Sequence, residues 1–263
     1  MSQPLQDRVA VITGAAGDVG GATAVLLAER GASIIAVDRN AEGLEALRNR
    51  MPQGARLLAV TADVSDERQV ERYVSQARDA HGRIDIFFNN AGIEGSRTGA
   101  WRPLTELSQE DFEAIMAVNA TGVFLGLKHV IPVMAVGGGG AIVNTSSIYG
   151  LKGGRNQIAY VASKHAVRAM TAVTAKEWAG SNIRVNAVAP GAIQGRMLRD
   201  FIAIIEETAA PPDPERPPRY NPPPIERWSD PREIAQVVAF LCSDEASYIT
   251  GACYSVDGGL NAL

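Results

Sequence analysis

The chain has 263 residues, 46% of them apolar and 21% charged, which is enough for a large buried core and unlike a disordered chain. Lys plus Arg number 25 against 29 Asp plus Glu, a net charge of −4, which argues against a protein built to coat nucleic acid. Two cysteines, Cys242 and Cys253, exclude a disulfide scaffold and any CxxC metal or redox pair.

Two reduced core thiols fit a cytoplasmic protein, and that location is the expectation. No apolar run long enough for a membrane span, roughly 18 residues, is expected. Residues 1–7 are short and polar and lack a signal-peptide core.

Residues 8–13 (RVAVIT) are a short, β-branched apolar run followed by glycines, the pattern of a buried strand. Apolar residues then recur at helical spacing over 19–30 and stop at Gly31, a C-cap residue. A second strand is predicted at 33–38 (SIIAVD), and a helix over 40–50 with Leu44 and Leu47 on one face. A third strand follows at 56–61, an amphipathic helix over 66–81 that stops at Gly82, and a fourth strand at 84–89 (IDIFFN). Residues 108–136 read as one long helix, with Pro132 as the place to expect a bend.

After four glycines come a fifth strand at 141–145, a helix over 157–179 and a sixth strand at 182–189. Residues 197–208 again carry a helical period. Between Pro211 and Pro224 lie eight of the chain's 14 prolines, a density that no regular element tolerates. Asp230, Pro231 and Glu233 then supply an N-cap, an N1 proline and a capping-box acid for a helix running to Ser243. A short seventh strand is predicted at 252–256. Strands that alternate with helices and show little polar alternation imply a parallel sheet covered on both faces. No repeat or second core is visible, so one domain over 1–263 is expected.

Thr13-Gly14-Ala15-Ala16-Gly17-Asp18-Val19-Gly20 joins the first strand to the first helix. Glycines at such a turn let backbone approach a pyrophosphate, and the helix N-terminus contributes amides and partial positive charge. Asp38 ends the second strand about 20 residues on, where a carboxylate takes adenosine ribose hydroxyls and repels a 2′-phosphate. NAD is therefore the expected cofactor, with Arg39 the residue that would favour NADP.

Tyr160 and Lys164 are four apart on a predicted helix and share a face. A phenol is a weak base at neutral pH, and a nearby ammonium favours its ionised form, so the pair suits proton transfer. Ser147, at the end of the fifth strand, can hydrogen-bond a reacting carbonyl oxygen; capping the strand end is the structural alternative, as for Ser146. The three histidines, at 81, 129 and 165, form no ligand spacing, and no metal is expected.

These pieces together resemble the short-chain dehydrogenase/reductases, over about residues 8–259. The resemblance rests on Thr13–Gly20, Asp63-Val64, Asn89-Asn90-Ala91-Gly92, Asn119, Ser147, Tyr160-x-x-x-Lys164, Pro190-Gly191 and Asp257-Gly258-Gly259, in order and spacing. It implies a doubly wound, Rossmann-type α/β fold with a seven-stranded parallel sheet. It also implies NAD(H)-dependent interconversion of a secondary alcohol and a ketone. The implied catalytic residues are Asn119, which holds a water of a proton relay, Ser147, which orients substrate, Tyr160, which transfers the proton, and Lys164. The implied cofactor residues are Gly14, Gly17, Asp18, Val19, Asp38, Asp63, Val64, Asn90, Ala91, Gly92, Tyr160, Lys164, Pro190, Gly191 and Ile193. A homotetramer acting on a small-molecule alcohol or ketone, with no nucleic-acid or membrane partner, is the family expectation. Phrases at 90–95 and 122–128 resemble bacterial levodione-type cyclic-ketone reductases. Acyl-thioester 3-ketoacyl reduction and non-catalytic NAD binding are the alternatives.

Two positions depart from the family pattern. The middle glycine of TGxxxGxG falls at position 18, which is Asp18; the turn survives if Asp18 adopts left-handed backbone angles, or if Gly14, Gly17 and Gly20 set the spacing instead. A Thr that most members place after Pro190-Gly191 is replaced by Gly195, so Ile193 backbone is left to hold the nicotinamide carboxamide. Residues 195–228 are expected to be a substrate lid, with Met197, Leu198, Phe201, Ile202 and Ile205 on an apolar stripe; a surface linker is the alternative.

Overall fold

The structure is a computed structural model and describes residues 4–95, 99–208 and 223–262. Strands β1 (Val9–Thr13), β2 (Ser33–Asp38), β3 (Leu57–Thr61), β4 (Ile86–Asn89), β5 (Gly140–Thr145), β6 (Ile183–Pro190) and β7 (Cys253–Val256) form one sheet in the order β3-β2-β1-β4-β5-β6-β7. Every neighbouring pair is parallel. The expected seven-stranded, doubly wound α/β architecture is present.

The period of two along the strands divides the core. On β1, Ala10 and Ile12 face one side and Val9 and Val11 the other. The first side packs against α1 (Asp18–Glu29), α2 (Ala41–Arg48) and α8 (Pro231–Cys242). The second is covered by α3 (Glu67–His81), α5 (Gly122–Val136) and α6 (Ile158–Trp178). The five inner strands are apolar on both faces and largely buried, as a sheet between two helical layers demands, while the edge strands β3 and β7 are only partly covered.

The helix ends follow their sequence signals. Asp66 caps α3 by accepting from the Arg68 N–H at 2.9 Å, and Gly82 closes it at φ 74°. Asp230 Oδ1 accepts from the Arg232 N–H at 2.7 Å, and Glu233 Oε2 accepts from the Asp230 N–H at 2.8 Å, the reciprocal cap expected for α8.

The long helix expected at 108–136 is not uniform. It comprises α4 (Gln109–Met116), a wide π turn at Ala117–Thr121, and α5. Pro132 lies inside α5 without ending it; the irregularity falls earlier, where the Gly122 N–H donates five residues back to Ala117 O. A π turn inserts one residue into the ladder and is common where a side chain must be re-aimed; here that side chain is Asn119. Contrary to the expectation of no such stretch, residues 109–136 are long and apolar enough by length and composition to cross a bilayer; the charges within 109–113 hide this in the sequence. Their apolar side is buried in the molecule, with Val123, Leu127, Val130 and Met134 in the second core layer.

The strand order reverses direction between β1 and β4, and the cleft lies outside the strand ends there, as in open parallel sheets generally.

Candidate active site

A cleft of about 750 Å³ runs along the C-terminal ends of the strands. All the residues expected at the site line it except Asn119.

At one end, the turn after β1 is built by close backbone approach. Gly14 takes φ 66°, and a Cβ there would come within 2.9 Å of the Ala91 Cα. A Cβ on Gly20 would fall 2.1 Å from Gly14 O, so Gly14 and Gly20 are required for space. Asp18 begins α1 and is not among the residues of positive φ, so no left-handed tolerance is called on at this position. Instead its Oδ2 accepts from the Arg196 N–H at 2.8 Å, at the start of α7 (Arg196–Thr208).

Asp38 joins strand to turn: Oδ2 accepts from the Ala16 N–H at 3.0 Å and Oδ1 from the Asn40 N–H at 2.9 Å. A carboxylate offers about four lone-pair sites, so two remain for ribose hydroxyls. Asp63 is held by the Ser65 N–H at 2.8 Å, with Val64 beside it.

The middle of the cleft is stitched by Asn90. Its Nδ2 donates to Thr13 O at 3.0 Å and its Oδ1 accepts from Thr145 Oγ1 at 3.2 Å, tying the ends of β1, β4 and β5. Ala91 and Gly92 follow, and Pro190, Gly191 and Ile193 leave β6 on the opposite wall. The Ile193–Ser229 bridge and the bond from the Gln194 N–H to Ser229 O at 2.9 Å anchor that wall.

At the other end, α6 places Tyr160 and Lys164 one turn apart. Ser147 leaves β5 in extended backbone, buried, with its Oγ accepting from the Tyr149 N–H at 3.2 Å, and its hydroxyl stands near enough to the Tyr160 phenol to favour its ionised form. Ser146 donates to Lys164 O at 2.9 Å, so it is the serine that ties the strand end to α6. Lys164 is buried, and its Nζ donates to Thr145 O at 2.9 Å. Burial pushes the ammonium down to about 8. Gly92 makes room for it, since a Cβ there would stand 3.2 Å from Nζ.

The sequence argument expected the ammonium to favour the phenolate. In this arrangement burial dominates and pushes the Tyr160 phenol up to about 12, while the Ser147 hydroxyl opposes it and the charges of Glu94 and Tyr149 add to it. Lys164 Nζ lies over the ring face, 5.7 Å from its centroid.

Asn119 is buried beneath the cleft floor. Its Oδ1 accepts from the Ile93 N–H at 2.8 Å, and its Nδ2 donates to Ile93 O at 2.8 Å and to Ser163 Oγ at 3.1 Å. The side chain therefore fixes the 92–93 backbone and the inner face of α6.

Sequence reasoning missed several cleft residues. Glu94, Trp101, Tyr149 and Gln157 line the substrate end. Tyr149 meets the Tyr160 ring edge-on at 6.3 Å. Gln157 is buried, and its Oε1 finds no hydrogen-bond partner among the described residues. Its place at the N-cap of α6, three residues before Tyr160, was the available signal; Trp101 offered none.

Away from the cleft, His129 meets Glu67 and Glu71, a cluster the spacing of the histidines did not reveal. His129 Nε2 and Lys128 Nζ approach Glu67 Oε1 at 2.9 and 2.6 Å, so an imidazole and an ammonium already attend that carboxylate.

The geometry suits a dinucleotide laid from Asp38 past the glycine turn to Lys164. Comparison with known proteins agrees. Residues 14–261 match a family model described as Enoyl-(Acyl carrier protein) reductase. The chain is 42% identical to levodione reductase of Leifsonia aquatica, over 97% of this chain and 95% of that protein. It is 39% identical to a 3-oxoacyl-acyl-carrier-protein reductase of Thermotoga maritima (97% and 98%) and 37% identical to cyclohexanol dehydrogenase of an Acinetobacter strain (98% and 96%). Among solved structures, that of levodione reductase superposes with a TM-score of 0.88 at 41% identity, covering 96% of this chain and 97% of that one. NAD+-bound xylitol dehydrogenase superposes at 0.87 and 34% identity, covering 97% and 99%. With the fold, the cleft and nearly the whole length in agreement, the chain belongs to the short-chain dehydrogenase/reductase family.

Proposed function

We propose that the protein is an NAD(H)-dependent oxidoreductase that interconverts a secondary alcohol and a ketone, with a cyclic or aromatic substrate. The observation that carries this reading is the convergence of Ser147, Tyr160 and Lys164 on one wall of a cleft whose far end presents Asp38. The names of the relatives support it: a reductase of levodione, a dehydrogenase of cyclohexanol, and a neighbour with NAD+ bound.

Gly14, Gly17, Asp18 and Val19 would hold the pyrophosphate through backbone, Asp38 the ribose hydroxyls, and Asp63 and Val64 the adenine. Asn90, Ala91 and Gly92 would line the middle, with Pro190, Gly191, Ile193, Tyr160 and Lys164 around the nicotinamide end. The cofactor supplies or accepts the hydride.

The chain's own residues handle the oxygen and its proton. Ser147 Oγ and the Tyr160 hydroxyl, close together on one wall, can bond the same substrate oxygen. In reduction Tyr160 gives its proton to that oxygen; in oxidation it takes the proton from the alcohol. The balance is ketone plus NADH plus a proton to alcohol plus NAD+. Lys164 faces the nicotinamide-side wall and governs the charge beside Tyr160. Asn119 holds the Gly92–Ile93 backbone against Lys164 and is the residue through which a relay water would be placed.

One catalytic domain is the reading, with 195–228 as a cover over the substrate end. Of that segment, 209–222 lie outside the described residues; Gly195, Arg196, Met197 and Leu198 line the cleft, which favours a cover over a linker. A homotetramer is supported by apolar side chains left at the surface, Phe124 on α5, Val173 on α6 and Phe240 on α8. A cytoplasmic location is supported by two free cysteines, Cys242 and Cys253.

The deciding experiment is a panel of cyclic and aromatic ketones and their alcohols followed by NADH absorbance. Turnover of a cyclic ketone is expected. Tight NAD binding without turnover of any member would make the protein a non-catalytic NAD binder. Turnover confined to a 3-oxoacyl thioester with NADPH would favour the acyl-carrier reading, against which the acidic Asp18 in the glycine turn already counts.

A further inference from the structure

The two positions at which the chain departs from the family pattern touch one another. Asp18 stands in the first turn of α1, and Gly195 immediately precedes α7, 177 positions later. A Cβ built on Gly195 would lie 2.2 Å from Asp18 Oδ2 and 2.6 Å from its Cγ. No side chain fits at 195 while Asp18 keeps its place. The same Oδ2 accepts from the Arg196 N–H at 2.8 Å.

Gly195 occupies the N-cap position of α7: its carbonyl accepts from the Arg199 N–H at 3.2 Å. An N-cap residue ordinarily uses a side-chain oxygen to satisfy one of the four open amides of the first turn. Glycine has none. The carboxylate of Asp18 does this from another element, and the partial positive charge of the helix terminus favours it there.

We infer that Asp18 and Gly195 are a matched pair, in which Asp18 caps α7 from across the cleft and so positions the substrate cover on the cofactor turn. Asp18 is a positioning residue: it holds Arg196, Met197 and Leu198 against the cleft they line. The glycine at 195 is what admits the carboxylate, and the carboxylate is what replaces the missing cap. The bond ties the first residues of the cover to the first turn of α1, beside the cofactor turn. The cap itself is a property of the ligand-free protein; only its kinetic consequence rests on the oxidoreductase reading above.

The test is a double-mutant cycle read first by hydrogen exchange of the 196–203 amides in the free protein. Asp18→Gly should lower protection there by about 3- to 10-fold, the scale of losing one cap. Asp18→Asn, which keeps an acceptor oxygen, should hold protection near the wild-type value. Gly195→Thr should lower protection when Asp18 is present, because its side chain collides with the carboxylate, and raise it on the Asp18→Gly background, where the Thr hydroxyl can cap the helix itself, a change of sign that independent sites do not produce. Thermal unfolding of each variant separates loss of the cap from loss of the fold.

In steady-state assays with the ketone found active, Asp18→Gly should raise the KM for the ketone about 3- to 10-fold more than Asp18→Asn does; because the backbone of residue 18 is also placed at the pyrophosphate, the Kd for NAD is measured alongside and should change equally in the two variants. Equal behaviour of Asp18→Gly and Asp18→Asn, or additive effects in the cycle, overturns the pairing. So does a kcat loss with KM unchanged. If no ketone is turned over by wild type, the oxidoreductase reading fails, and the exchange cycle alone still decides the cap.

Discussion

Lys164 Nζ stands over the face of the Tyr160 ring, 5.7 Å from its centroid, and donates to Thr145 O at 2.9 Å. The ammonium is therefore placed beside the aromatic face and a carbonyl dipole, and not against the phenol oxygen. Burial moves the two groups in opposite directions, Lys164 down to about 8 and Tyr160 up to about 12, each toward its neutral form.

That pair gives the free protein a recognisable pH response. The folded Lys164 releases its proton near pH 8, while in the unfolded chain it does so near 10.5. Between those values the unfolded state binds more protons, so stability rises with pH. The folded Tyr160 keeps its proton above pH 10 when the unfolded one loses it, so its contribution falls as pH rises beyond 10. Wild type should thus gain stability relative to Lys164→Met, of the order of 1 kcal/mol, on going from about pH 7.5 to 9.5. Denaturant unfolding of both proteins across that range checks it. Parallel pH curves would mean that Lys164 is not held with a lowered pKa.

Tyr160→Phe removes the hydroxyl beside Ser147 and leaves the ring, its edge contact with Tyr149 and the shape of the wall. Turnover should fall about 10²-fold or more, the scale of general acid–base catalysis, while NAD affinity measured by fluorescence stays near wild type. Lys164→Arg should also be harmful, because Gly92 leaves room for a slender ammonium and a planar guanidinium has other needs. Near-normal turnover in Tyr160→Phe would remove the phenol from the reaction.

Asp38 should set the choice of dinucleotide. It is fixed by two backbone amides and lines the cleft with Arg39 beside it. Wild type is expected to show a higher kcat/KM with NAD than with NADP. Asp38→Ala should narrow that ratio, since it removes both the ribose acceptor and the repulsion of a 2′-phosphate. A wild-type preference for NADP would mean that Arg39 outweighs Asp38.

Much of this was legible in the sequence because it depends on local rules. The strand runs, the Asp230 cap and the Gly82 stop are local signals, and they appear where expected. The glycine turn, Asp38, Ser147, Tyr160 and Lys164 meet because parallel strands deliver their C-terminal ends to one edge. What the sequence did not carry was contact between distant elements. The π turn at Asn119 has no composition signature, so 108–136 read as one uniform helix. The opposed pKa displacements of Tyr160 and Lys164 come from enclosure by β5, α6 and Gly92, which spacing cannot report. Asp18 and Gly195 each looked like an isolated departure, and only their 2.2 Å encounter makes them one feature.

The cover makes the last prediction. Leu198 is half-buried at the start of α7 and lines the cleft with Met197, which is 45% exposed. An apolar side chain presented to an open cleft gains burial when an apolar substrate enters, at about 25 cal/mol per Å² removed from water. Shortening Leu198 to alanine should therefore weaken binding of a cyclic ketone more than binding of the cofactor, whose proposed contacts are chiefly the glycine turn, Asp38 and Lys164. We expect Leu198→Ala to lower kcat/KM for the ketone by about 3- to 10-fold, corresponding to roughly 1 kcal/mol of lost burial, with the Kd for NAD changed by less than about twofold. A cover that closes over substrate should also shield 195–228 from proteolysis when NAD and a ketone analogue are both bound. Equal cutting with and without the ligands, together with unchanged kinetics in Leu198→Ala, would leave this segment as a surface linker.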